Sequence, residues 1–127
     1  MAKIKPTIAE LEILTHLWEN GPSSVRDVHS QLSESRDVFY TTTLKTMQVM
    51  LNKGLLHRDT SERAHIYSPT VEKSDIERSL LDGLRASIFR GSTAKLIISA
   101  LGHDRPSHEE LEEIKALIHK MEDDGNI

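Results

Sequence analysis

The sequence contains no cysteine, which excludes disulfides, thiolate metal sites and cysteine nucleophiles. Its apolar runs are far too short to cross a bilayer. The opening Met1-Ala2-Lys3-Ile4-Lys5-Pro6 lacks the apolar stretch of a secretory signal, so a cytoplasmic protein is expected, with no membrane partner. No Gly-rich phosphate loop or paired-carboxylate motif is present, and the serines fall mostly at helix starts and turns, where capping explains them. These absences argue against an enzyme, and no cofactor is implied. An excess of positive charge is missing too. The net charge is −4 over 127 residues, which at first speaks against nucleic acid as a partner.

The distribution of that charge says otherwise. Residues 1–70 hold eight Lys/Arg and eight Asp/Glu, whereas residues 71–127 hold eight and twelve. The deficit belongs to the second part, while Arg36 to Arg58 carries four basic residues against the single acid Asp37. A local basic patch on an acidic chain suits specific DNA binding, with weak non-specific affinity and marked salt sensitivity. With 37% hydrophobic and 28% charged residues, the chain reads as globular, long enough for one ordinary domain or a small one with an appendage.

Ser23 to Pro69 reads as one DNA-docking unit. Thr7-Ile8-Ala9-Glu10 has the capping-box arrangement and opens a supporting helix that Asn20-Gly21-Pro22 stops; Leu11, Leu14 and Trp18 form its inward line, widened by Ile13 and Leu17. Ser23 or Ser24 then caps a helix with Val25, Val28 and Leu32 at helical spacing. A polar break, Ser33 to Asp37, precedes a second helix from Tyr40 to Lys53. There Tyr40, Leu44, Met47 and Leu51 are expected to face the core. The opposite side carries Thr42, Lys45, Thr46, Val49, Asn52 and Lys53, with Thr41 beside them: Lys for guanine or phosphate, hydroxyls for either, Asn for adenine. Val49 is informative, since an exposed β-branched residue in mid-helix lacks a packing reason, whereas a thymine methyl supplies one. Gly54 stops the helix, and Leu55 to Asp59 and Ala64 to Ser68 read as a hairpin around Thr60-Ser61-Glu62-Arg63. That hairpin is a wing, on which Arg58 and Arg63 are placed to meet the sugar-phosphate backbone. Arg36, in the break, belongs to the same basic patch.

After Pro69 the pattern is helical throughout. Ser74-Asp75 starts a helix with Ile76, Leu80, Leu84 and Ile88 in a stripe; Ala94 to Leu101 is short and almost wholly apolar; Ser107-His108-Glu109-Glu110 is a second capping box, opening a helix with Leu111, Ile114, Leu117, Ile118 and Met121 inward. Three such helices bury little alone. Leu80, Leu84, Ile88, Ile97, Leu101, Leu111, Ile114 and Ile118 are therefore expected at an interface with a second copy of the chain. The expected fold class is mainly α with a small β-hairpin wing: a winged helix-turn-helix over residues 1–70, and a three-helix dimerisation module over residues 71–127.

In order and spacing the chain resembles the penicillinase-repressor family, also written BlaI/MecI/CopY. The carrying residues are Ala9-Glu10-Leu11-Glu12-Ile13-Leu14 with Trp18, Val25-Arg26-Asp27-Val28, Tyr40-Thr41-Thr42-Thr43-Leu44-Lys45-Thr46-Met47, Lys53-Gly54-Leu55-Leu56 and His65-Ile66-Tyr67-Ser68-Pro69. The resemblance spans almost the full chain and implies a homodimeric repressor that occupies a dyad operator in double-stranded DNA. Two departures qualify it. Sensor-controlled members are inactivated by cleavage at an Asn-Phe bond, where this chain has Ser99-Ala100. Copper-responsive members carry a C-terminal cysteine cluster, and this chain has no cysteine. A regulatory protease or sensor is thus left unspecified.

Two other readings compete. Seven histidines, among them His103, His108 and His119, suggest zinc, but their spacing matches no standard ligand motif and surface positions explain them; no metal is expected. A winged helix used for protein contacts without DNA readout is the alternative function, since the fold does not fix its partner.

Overall fold

Local capping sets where the helices begin in the computed structural model, which describes residues 5–125; residues 1–4, on which the expectation about a signal segment bears, lie outside the described residues. The Thr7 hydroxyl accepts the Glu10 N–H at 3.2 Å and the Glu10 carboxylate accepts the Thr7 N–H at 2.8 Å, closing the expected capping box on α1 (Ile8–Asn20). Ser24 caps α2 (Val25–Ser35) by accepting the Asp27 N–H at 3.2 Å. The helix α3 (Tyr40–Lys53) has no side-chain cap, and ends at Gly54, whose left-handed backbone (φ 84°, ψ 13°) costs glycine nothing and any Cβ-bearing residue about 1 kcal/mol. The N–H of Leu55 donates to the Met50 carbonyl at 2.9 Å, completing the stop.

The strands β1 (Leu56–Asp59) and β2 (Ile66–Pro69) pair antiparallel, from Leu56 opposite Pro69 to Asp59 opposite Ile66. The ladder is shorter than expected, because Asp59 accepts the Ser61 N–H at 2.9 Å and opens a wide turn that takes in Ala64 and His65. Ser23 exchanges two backbone hydrogen bonds with Tyr67, at 3.0 and 2.8 Å, and so pins the hairpin to the start of α2. The Trp18 indole donates to the Val71 carbonyl at 3.1 Å, tying α1 to the chain leaving the wing.

The core of this region joins Ile13, Leu14 and Leu17 of α1, Val28 and Leu32 of α2, Met47 and Met50 of α3, and Leu55, Leu56 and Tyr67. In α1 the most buried line is Ile13, Leu14 and Leu17, with Leu11 and Trp18 half-buried at its margins. For α3 the expected inward line needs correction. Tyr40 is 45% exposed and Leu44 and Leu51 are half-buried, while Thr43, Met47 and Met50 are the buried positions. At 3.6 residues per turn this turns the helix by about 60° from the apolar pattern. The polar Thr43 is admitted because its hydroxyl is hydrogen-bonded to His29 Nδ1 at 3.1 Å.

The chain divides into two compact units, Met1–Leu81 and Asp82–Ile127, within α4 (Lys73–Ser87). The division falls later than residue 70 because Val71 packs on the first core and Ile76 is buried. In the second unit Ser92 caps α5 (Thr93–His103) through the Lys95 N–H, and the expected Ser107–Glu110 capping box opens α6 (His108–Gly125) at 3.1 and 3.0 Å. Neither α5 nor α6 has a fully buried residue. No helix among the described residues is long and apolar enough to cross a membrane.

Candidate nucleic-acid interface

Burial of Thr43, Met47 and Met50 directs the other side of α3 to solvent. Thr41, Thr42, Lys45, Gln48, Val49, Asn52 and Lys53 are exposed there, and Val49 is 39% accessible despite its apolar side chain. The middle of this face falls on Thr41, Lys45 and Asn52, with Gln48 and Val49 to either side, whereas Thr46 and Lys53 lie on the flank beside α1. The Thr46 hydroxyl donates to its own helix, to the Thr42 carbonyl at 2.9 Å, and the residue is half-buried. Lys53 Nζ meets both Glu10 oxygens, at 2.8 and 3.1 Å. Sequence spacing therefore selects a side of the helix that is exposed, and leaves out Gln48, which is exposed as well. The misleading signal is Thr43, a polar residue in the core.

Two polar contacts hold this setting. On one flank Glu10, buried although charged, joins the start of α1 to the end of α3 through Lys53. Burial alone raises its pKa, but the hydrogen bonds from Lys53 and from the Thr7 N–H outweigh that, and the carboxyl titrates below its ordinary 4.5. On the other flank His29 of α2 is bonded to Thr43 by one ring nitrogen and to Ser33 by the other, at 3.1 and 3.3 Å, and meets the Tyr40 ring edge-on at 5.4 Å.

The wing brings further cations. Arg58 lies on β1 opposite Tyr67, and Arg63 lies in the hairpin turn; both are exposed. A cleft between the wing, the start of α2 and the start of α3 is lined by Ser24, Arg26, Tyr40, Arg63 and His65, without a carboxylate. Arg26 is absent from the sequence-based set, because its approach to the wing depends on the Ser23–Tyr67 bridge, a contact across more than forty residues. Arg36 is bidentate to Glu12, at 3.0 and 3.3 Å, so this exposed cation is partly neutralised.

In the helices after the wing, Leu80, Leu84, Ile88, Ile97 and Ile118 are exposed, and Leu101, Leu111 and Ile114 are half-buried. Leu81, Ile98, Leu117 and Met121 are exposed as well and extend the apolar surface. Ser99 and Ala100 sit inside α5, within continuous helix. Among the described residues no three of His, Asp and Glu converge as metal ligands, and His119 faces Glu122 at 3.6 Å.

Residues 6–120 match the family described as penicillinase repressor. The Transcriptional regulator BlaI of Mycobacterium tuberculosis (strain H37Rv) is 29% identical over 126 residues, covering 96% of this chain and 89% of that protein. The Methicillin resistance regulatory protein MecI of Staphylococcus aureus (strain N315) is 22% identical over 113 residues, covering 88% and 91%. Among solved structures, the DNA binding domain of the repressor BlaI matches with a TM-score of 0.52 and 26% identity, covering 59% of this chain and 93% of that one.

Proposed function

The chain belongs to the penicillinase-repressor family, and from that membership we propose that it acts as a homodimer that represses transcription by occupying a dyad operator. It is a sequence-specific DNA-binding regulator and not an enzyme, as its relatives are. The observation that carries the DNA reading is the exposed face of α3 around Lys45, flanked by a wing with two exposed arginines. In the proposed complex α3 lies in the major groove, with Thr41, Thr42, Lys45, Val49 and Asn52 toward the bases. Arg58 and Arg63 touch phosphates and set the register without reading sequence. Thr46, Lys53 and Arg36 contribute from the margins, the two cations only as far as Glu10 and Glu12 release them.

Residues 1–70 form the DNA-binding part and residues 71–127 the dimerisation part of this proposal. The apolar side chains exposed on α4, α5 and α6 support pairing with a second copy, because so much apolar surface is costly in water. Two α3 helices one DNA turn apart, ~34 Å, then read two half-sites together. Cleavage by a protease specific for an Asn-Phe bond is not part of the proposal, since Ser99-Ala100 offers different side chains in a helical segment.

Retention of promoter fragments over a salt series tests the reading. Binding is expected to fall steeply as salt rises, with a slope set by the number of phosphate contacts. A protein-only module would retain no DNA even at low salt.

A further inference from the structure

The turn of α3 away from its apolar pattern brings Gln48 onto the outward face, to one side of its centre and one helical turn before Asn52. Both side chains are exposed. Among the described residues neither amide enters a hydrogen bond, in contrast to the Thr46 hydroxyl, spent on Thr42, and the Lys53 ammonium, held by Glu10. The azimuth that presents them is fixed from both sides, by the His29–Thr43 contact and the Glu10–Lys53 pair.

On a free helix surface two amides are ordinary, because water satisfies them. In a groove the situation changes. A helix seated against base edges loses that water, and an amide left without a partner there costs free energy, so it favours base pairs that complete its hydrogen bonds. An amide donates and accepts side by side, which matches the N7 acceptor and N6 donor of adenine. Four residues of helix advance about 6 Å, close to two base steps of 3.4 Å.

We propose that Gln48 and Asn52 form an amide pair that selects two A·T pairs about two base steps apart in each half-site. This rests on the DNA-binding reading above.

The test is selection of bound duplexes from a random pool by the full-length protein and by its Gln48→Ala and Asn52→Ala variants, with thermal melting to show that each variant folds. The wild type is expected to enrich two A·T positions at that spacing. Each variant is expected to lose preference at one of them by roughly 5- to 150-fold, and to keep the salt dependence of binding, because an amide carries no charge. Unchanged base preferences in the variants, or equal loss of affinity for every sequence, would overturn the amide pair while leaving a DNA-binding regulator. Enrichment by the wild type of sites without two such A·T pairs would do the same. No retained DNA at low salt would overturn both the amide pair and the regulator reading.

Discussion

The first unit encloses an apolar core, although Ile8 and Phe39 stay exposed on it, and the described residues of the second display most of their apolar side chains. Ile13, Leu14, Leu17, Val28, Met47 and Leu55 are at most 1% exposed, whereas Ile88, Ile98 and Met121 are at least 65% exposed. Composition does not explain the contrast, since both parts are rich in Leu and Ile. Topology does: in the first unit three helices and a hairpin converge on one core, but α5 and α6 leave no residue fully enclosed. The first encloses a core of its own, and in the proposed dimer the second is completed by its partner.

The largest effect that would break this comparison comes from removing the second unit. A fragment of residues 1–81, which keeps Val71 and the buried Ile76, is expected to fold and to bind a two-half-site operator about 10²- to 10⁴-fold more weakly than the intact chain, through loss of the linked second contact. Equal affinity in a band-shift titration would deny the second unit that role. Next, Met47→Ala opens a cavity in a filled core and is expected to cost about 2–5 kcal/mol in urea melts of the fragment. Leu117→Ala, on the displayed surface, is expected to leave the subunit fold intact and to weaken pairing instead. Similar folding losses from both would erase the distinction.

Lys45→Ala is expected to cost about 1–3 kcal/mol on the operator if it meets a base, or to lower the salt slope by about one if it meets phosphate. Arg58→Ala and Arg63→Ala are expected to weaken operator and random duplex by similar factors; a selective operator loss would assign base or groove-width readout to the wing. A smaller effect concerns acid. The folded-state pKa of Glu10 is depressed, so its pair with Lys53 stabilises the first unit above the ordinary 4.5 of a free glutamate and that contribution fades as pH falls through the lower folded value. Glu10→Gln is expected to cost about 1–2 kcal/mol near neutral pH, less than a fully buried pair because Lys53 is 39% exposed. The difference from wild type should shrink as pH falls below 4.5 and through the lower folded value; a pH-independent difference would mean that the charge of Glu10 plays no part.

Features carried by a few adjacent residues were legible in the sequence. Thr7 with Glu10, Ser107 with Glu110, and Gly54 after Lys53 mark their helix ends without reference to the rest of the chain. Features that depend on distant partners were not. Glu10 reads as a capping residue, and its second role needs Lys53, forty-three positions away. Thr43 gives no sign in the sequence of belonging to the core, because its burial depends on His29 satisfying its hydroxyl, and that contact together with the Glu10–Lys53 pair holds the angle of α3.

Sedimentation equilibrium of the intact chain beside the 1–81 fragment tests the central contrast most directly. The account predicts a dimer for the intact chain at micromolar concentration and a folded monomer for the fragment. A monomeric intact chain, or a fragment that still pairs, would contradict it.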